Sequence, residues 1–155
     1  LCVVLSAGAP PDTPMSPLDD LVAFYEQLQP ADLARLPQLY AADARFKDPF
    51  NDVRGLPAVA RIFGHMFEAL REPRFTVLRA IGGGPEAVLT WDFDFRLGQR
   101  PLRIHGASHL VFDVSGRIVL HRDYWDAAEE LYAKLPLLGV LMRVLQRRLA
   151  TPLAA

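Results

Sequence analysis

Asp48 is the residue whose setting points most directly to chemistry. It stands in Arg45-Phe-Lys-Asp-Pro-Phe-Asn51, immediately before Pro49 and flanked by Phe46 and Phe50. A following proline disfavours helical dihedrals and holds the preceding residue extended. A carboxyl fixed among apolar side chains can have its proton affinity raised and then move protons near neutral pH. The same residues also spell a turn in which the Asp48 carboxylate caps backbone amides. Local sequence leaves both readings open.

A second set is His105 and His109, four apart, with Asp92 and Asp94 on the preceding strand. Each pair shares one strand face. They read either as a His–Asp dyad or metal site, or as charges pairing across an outer sheet face. Trp91, Phe93 and Phe95 alternate with the two aspartates, and an aromatic face turns inward, so the aspartates are expected outward. The spacing matches no metal motif. His65, at the edge of a helical apolar stripe, reads as an acid or base at a cavity mouth or as a partly buried structural histidine.

These side chains need a scaffold, and composition bounds it. The chain has 155 residues, 51% hydrophobic, with nine Phe. That suits one domain with a filled core or an apolar pocket. Seventeen basic against eighteen acidic residues leave a net charge of -1, without the basic footprint of a nucleic-acid binder. The single cysteine, Cys2, permits neither an internal disulfide nor a cysteine-based metal cluster, which agrees with a cytoplasmic setting. The apolar run 1–5 is too short to span a bilayer. Residues 1–14 read as a flexible extension before Met15. Gly82-Gly-Gly84 lacks the Lys-Ser/Thr of a phosphate loop, and no dinucleotide fingerprint is present, so no cofactor is expected.

Ser16-Pro17-Leu18-Asp19 signals a helix start. Leu18, Leu21, Val22, Tyr25 and Leu28 continue it at helical spacing over 17–28. A second short helix is expected from Asp32 through Tyr40, broken at Pro37. A third begins at Gly55-Leu-Pro57. After Pro73 the period changes to that of strands: one around 75–81, an aromatic-faced one over 89–95, then 102–113 and 118–125, joined by turns. A helical tail covers 127–149, interrupted at Pro136 and Gly139. Segregated helices and strands predict an α+β fold, a curved antiparallel sheet wrapped around N-terminal helices and enclosing a cone. Residues 15–130 form the domain and 131–155 the tail. That tail, apolar with a basic end, is expected to pack on protein and not on a membrane.

Tyr40-Ala-Ala-Asp-Ala-Arg-Phe-Lys-Asp-Pro-Phe50, Gly55, Phe112-Asp-Val-Ser-Gly-Arg-Ile118 and His121-Arg-Asp-Tyr-Trp125 give the chain a family resemblance over 16–130. It resembles the nuclear transport factor 2-like superfamily, and within it the SnoaL-like polyketide cyclase and ketosteroid isomerase branch. The resemblance implies a cystatin-like α+β cone, a hydrophobic small-molecule ligand and a homodimer through the outer sheet face. Steroid isomerases of this branch use an Asp base matching Asp48, with a helix-one Tyr and a protonated strand Asp as oxyanion donors. Here those donor positions fall on Phe24, next to Tyr25, and on Ser108. Phe24 donates nothing, and Tyr25 substitutes for it only if the helix is rotated by about a third of a turn.

The resemblance therefore implies an isomerase or cyclase acting on a steroid- or polyketide-like substrate. Asp48 is its base, and Ser108 or Tyr25 its hydrogen-bond donor. Phe24, Phe46, Phe50, Phe63, Met66, Trp91, Phe93, Phe95 and Trp125 form the wall. Two altered donors also fit a binding or dimerisation module without catalysis. Limonene-type epoxide hydrolases carry a run similar to Arg122-Asp-Tyr-Trp-Asp126, which matches Asp123 to one of their acids and Asp92 to the other. Thr90 stands where they have an arginine and Asp48 where they have an asparagine, so this reading ranks lower.

Overall fold

The computed structural model describes residues 17–149. The expected extension over 1–14, the Ser16 cap and the last residues of the tail lie outside the described residues. Helix α1 (Pro17–Glu26) opens on a proline whose fixed φ suits a first turn. Leu21, Phe24, Tyr25 and, just past its end, Leu28 are all buried. The expected second helix is instead two pieces, a 3₁₀ turn (Pro30–Arg35) and the single turn α2 (Leu36–Leu39). Pro37 explains the split, because it cannot donate inside a helix but fits the first turn of a new one. Tyr40 leaves the helix altogether and begins strand β1 (Tyr40–Lys47).

After the three-residue strand β2 (Asp52–Arg54) comes α3 (Leu56–Ala69). Gly55 precedes it at φ +96°, a conformation that favours glycine, and its N–H donates to the Ala44 carbonyl at 2.8 Å. Strands β3 (Arg71–Gly83), β4 (Glu86–Leu97), β5 (Arg100–Phe112) and β6 (Ile118–Tyr124) follow as a meander. The sheet order is β2-β1-β6-β5-β4-β3. Pro73 lies within β3 rather than before it, which an edge strand tolerates.

Every neighbouring pair is antiparallel except β1 and β6, which run parallel. The sheet is thus mixed, not antiparallel throughout. Parallel neighbours need a long connection, and everything between β1 and β6 supplies one. The sheet is curved and unclosed, with α1 and α3 against its concave side.

Alternation decides which side chains face the helices. On β4, Ala87, Leu89, Trp91, Phe93 and Phe95 are buried. On β5, Leu102, Ile104, Ser108 and Leu110 are buried, and Gly106 is paired with Trp91. A Cβ added at Gly106 would lie 2.5 Å from Trp91 Cη2, so the missing side chain makes room for the indole.

The opposite parity carries charge. Arg103 Nε donates to Asp94 Oδ1 at 2.7 Å, His105 Nδ1 lies 2.8 Å from Asp92 Oδ1, and His109 Nε2 lies 3.2 Å from Glu86 Oε2. The His–Asp set is therefore cross-strand pairing on the outer face. Among the described residues, no group of three or more His, Cys, Asp or Glu is placed to hold a metal. At the edge of the sheet, the Val77 N–H donates to Glu26 Oε1 at 2.8 Å and ties β3 to the end of α1.

The tail consists of α4 (Ala127–Glu130), a 3₁₀ turn (Tyr132–Lys134) and α5 (Pro136–Leu149). Asp126 caps α4 by accepting from the Ala128 and Glu129 amides. Pro136 starts α5, as its chemistry requires, while Gly139 falls inside that helix. No described helix is long and apolar enough to cross a membrane.

Gly106→Ala forces a methyl group into the Trp91 ring. Overpacking of this kind costs about 1–3 kcal/mol. The melting temperature should fall by about 2–4 °C for each kcal/mol, and differential scanning calorimetry checks it.

Candidate functional site

Between α1, α3 and the concave sheet lies a pocket of about 300 Å³. Most of its wall is hydrocarbon. Phe75 and Phe93 stack with centroids 4.4 Å apart, and Trp91 meets Phe75 edge-on at 5.6 Å. Phe46, Phe63, Met66 and Phe95 complete much of the lining. Phe50 and Trp125 touch edge-to-face at 5.3 Å, with Phe50 largely exposed. The polar groups on the wall are Tyr25, Asp48, Ser108, His121 and Asp123.

Register brings three of these together. Ser108 on β5 sits directly opposite Asp123 on β6, and His121 is two residues before Asp123 on the same face. Ser108 Oγ donates to Asp123 Oδ1 at 2.5 Å, and His121 Nε2 lies 2.8 Å from the same oxygen. The indole N–H of Trp91 donates to Ser108 Oγ at 2.8 Å. On the other side of the imidazole, Nδ1 is 2.7 Å from the Tyr40 hydroxyl, which is 2.7 Å from the Tyr25 hydroxyl. A neutral imidazole protonated on Nε2 satisfies the whole chain. Tyr25 donates to Tyr40, Tyr40 donates to Nδ1, and Nε2–H donates to Asp123.

Burial pushes both tyrosine hydroxyls well above their ordinary value, so they remain neutral donors. Asp123 has a 15% exposed side chain and His121 a 5% exposed one. Among the described residues, the hydrogen bonds to Asp123 fall on Oδ1 and none on Oδ2, in a residue that lines the pocket. Ser108 and Asp123 both approach Nε2, so they are not strung on opposite nitrogens as an acyl-transfer triad requires.

Asp48 is placed at the rim and is occupied. Its Oδ1 accepts from the Phe50 amide at 2.7 Å and the Asn51 amide at 2.6 Å. The Asn51 side-chain amide reaches both carboxylate oxygens at 3.0 Å. This is the turn-capping geometry, on a half-buried residue. Asp48, Asp123 and Trp125 also border a second, outer depression with Lys47 and Arg122.

The remaining sequence candidates divide by parity and helical phase. Phe24 was expected on the wall but lies in the core, under the Arg35 guanidinium at 5.3 Å, outside the lining. One residue along a helix is a 100° step, and that step turns Tyr25 into the pocket instead. Asp92 points to the outer face while Asp123 points inward, so the two acids imagined as a pair lie on opposite sides of the sheet. His65 is exposed and does not reach the pocket. His121 and Tyr40 were not singled out from sequence. The His121-Arg-Asp123 spacing, a two-residue step on a strand, was the signal available.

This arrangement, an unclosed curved sheet whose strands β5 and β6 bring Ser108, His121 and Asp123 to a greasy hollow, is the nuclear transport factor 2-like fold. A family model for the SnoaL-like domain matches residues 21–121, and the chain belongs to that family. Solved structures agree on the fold. An LEH-like epoxide hydrolase of M. tuberculosis is 21% identical, covering 83% of this chain and 95% of that one, at TM-score 0.64. A protein of ketosteroid isomerase-like fold from Catenulispora acidiphila, solved with trimethylamine, is 17% identical over 81% and 96% at TM-score 0.65. A nuclear transport factor 2-like protein of unknown function from Burkholderia pseudomallei is 22% identical over 74% and 95% at TM-score 0.64. No curated protein matches the sequence.

Two outcomes test this network. Tyr40→Phe leaves Nδ1 of a buried imidazole without its donor and should cost about 1–3 kcal/mol in urea unfolding. The raised tyrosine pKa values also set a pH limb. Both groups are protonated in folded and unfolded chains below their unperturbed value of 10.0, so their contribution is whole there. Above it the unfolded chain alone releases the protons, and stability falls. The urea midpoint should drop more steeply between about pH 9 and 11 in the wild type than in the Tyr25→Phe/Tyr40→Phe double variant.

Proposed function

We propose that the chain is a small-molecule enzyme of the isomerase or cyclase type, with Asp123 as the group that moves the proton. The observation that carries this is a carboxylate on an apolar pocket wall, with Oδ1 fixed by Ser108 and His121 and Oδ2 left out of those bonds. A neutral, hydrophobic carbonyl compound, steroid-like or polyketide-like, fits such a space. Oδ2 takes a proton from the carbon beside the carbonyl, the electron pair moves onto the carbonyl oxygen, and the acid returns the proton at another carbon. The Tyr25 hydroxyl is the donor for the developing oxyanion, swinging its hydrogen from Tyr40 to the ligand. Such a donor lowers the barrier by about 3 kcal/mol. Ser108 and His121 keep the carboxylate oriented.

Asp48 takes a different part in this reading, holding the rim turn that positions Phe50. Binding without turnover uses the same pocket, and the displaced donor set is what favours it. Water activation for epoxide opening retains Asp123 but lacks Asp92 as partner. A homodimer is assigned to the outer sheet face, where Leu78, Ile81 and Val88 lie exposed.

Deuterium exchange from heavy water into a panel of cyclic enones, followed by proton NMR, tests the proposal. Asp123→Asn should slow exchange by about 10²–10⁴-fold, the usual share of a general base. Asp48→Asn should retain most of it. The reverse ranking would return the role to Asp48, and no exchange alongside measurable binding would favour the non-catalytic reading.

A further inference from the structure

The pocket also carries a charge preference. No Lys or Arg lines it, and its ionisable groups are Tyr25, Asp48, His121 and Asp123. Tyr25 is neutral, the hydrogen-bond chain is satisfied by a neutral His121, and Asp48 is bound into its own turn. Cations nearby are engaged outside. Lys47 lies in the outer depression and donates to Asp52 at 3.0 Å, and Arg122 lies there over the Tyr124 ring at 4.6 Å. Asp123 thus meets no Lys or Arg in the pocket, and His121 is the basic side chain beside it. The same pocket is lined by the rings of Phe46, Phe75, Trp91 and Phe93. Aromatic faces are electron-rich and attract cations. Carboxylate and rings therefore act with the same sign: both repel an anion and both attract a cation.

We propose that this pocket selects its occupant by charge, taking a hydrophobic ammonium in preference to a neutral molecule of the same shape and excluding carboxylates. The proposal rests on the reading of Asp123 as an ionised group turned into the pocket. A quaternary ammonium has no hydrogen to donate, so it isolates charge from hydrogen bonding.

Benzyltrimethylammonium, its carbon isostere neopentylbenzene and 3-phenylpropionate are the probes, titrated into the wild-type chain. Trp91 and Trp125, the chain's two tryptophans, both line the pocket and report occupancy by fluorescence. The ammonium should bind at least about tenfold more tightly than neopentylbenzene, a factor that 1.4 kcal/mol supplies. Phenylpropionate should bind more weakly than either. Asp123→Asn should erase the gap and leave neopentylbenzene unchanged. Equal affinities, a carboxylate bound as tightly as the ammonium, no saturable ammonium binding, or a preference surviving in Asp123→Asn would each overturn the proposal. If Asp123→Asn does not fold, the wild-type comparison decides alone. Enone exchange without an ammonium preference sinks charge selection only; an ammonium preference without exchange sinks proton transfer only.

Discussion

The pair of hydrogen bonds onto Asp123 Oδ1 is what the site depends on. A carboxylate against hydrocarbon loses the water that would stabilise it, and an isolated one would neutralise itself. Here Ser108 and His121 replace part of that hydration from the protein side. Each donor is itself held, Ser108 by the Trp91 indole and His121 by Tyr40. The result is a carboxylate fixed through one oxygen on the wall of the hollow. Buried polar chains of this sort are favourable only when every member is satisfied, and among the described residues no buried side-chain nitrogen or oxygen lacks a partner.

Strand pairing makes that chain possible. Ser108, His121 and Asp123 converge because β5 and β6 are in register and because side chains alternate. A one-residue slip of β6 would send His121 and Asp123 outward and bring Arg122 in. The short hairpin at 113–117 guards against the slip. Asp113 accepts from the Ser115 hydroxyl and from the Arg117 and Ser115 amides, and those bonds, the hydroxyl's first, with the nearby Arg117 charge hold its carboxyl down at about 2. The same alternation gathers the ion pairs of β4 and β5 on the convex side, away from the aromatic wall.

Much of this architecture was legible in the residues. Alternation over 89–95 announced an aromatic inner face, and it also put Asp92 and Asp94 outside. The two-residue period is a local property, so sequence alone carries it. Other features depended on tertiary partners. Pairing between β1 and β6 is non-local, and nothing within 40–47 indicates a parallel neighbour from residues 118–124. Tyr40 looked like a helical stripe because its spacing from Leu36 is four, yet the chain straightens there to reach β6. The proline and phenylalanines around Asp48 are the local pattern of a base in an apolar setting. The amides that occupy it, from Phe50 and Asn51, are equally local and equally readable as a turn. Asp123 owes its importance to Ser108, fifteen residues away, and to a burial that no window of sequence displays.

The Glu26 carboxylate on the Val77 amide has a consequence for how copies of this chain meet. An uncovered strand margin is a template on which further strands are added, and such growth has no natural end. At one margin of this sheet a helix-borne acid already occupies a backbone donor. At the other margin the outermost strand is three residues long and offers little to copy. Lateral stitching into ribbons is thereby discouraged at both sides. Leu78, Ile81 and Val88 lie exposed on the broad outer face instead, where no backbone donor or acceptor invites a further strand.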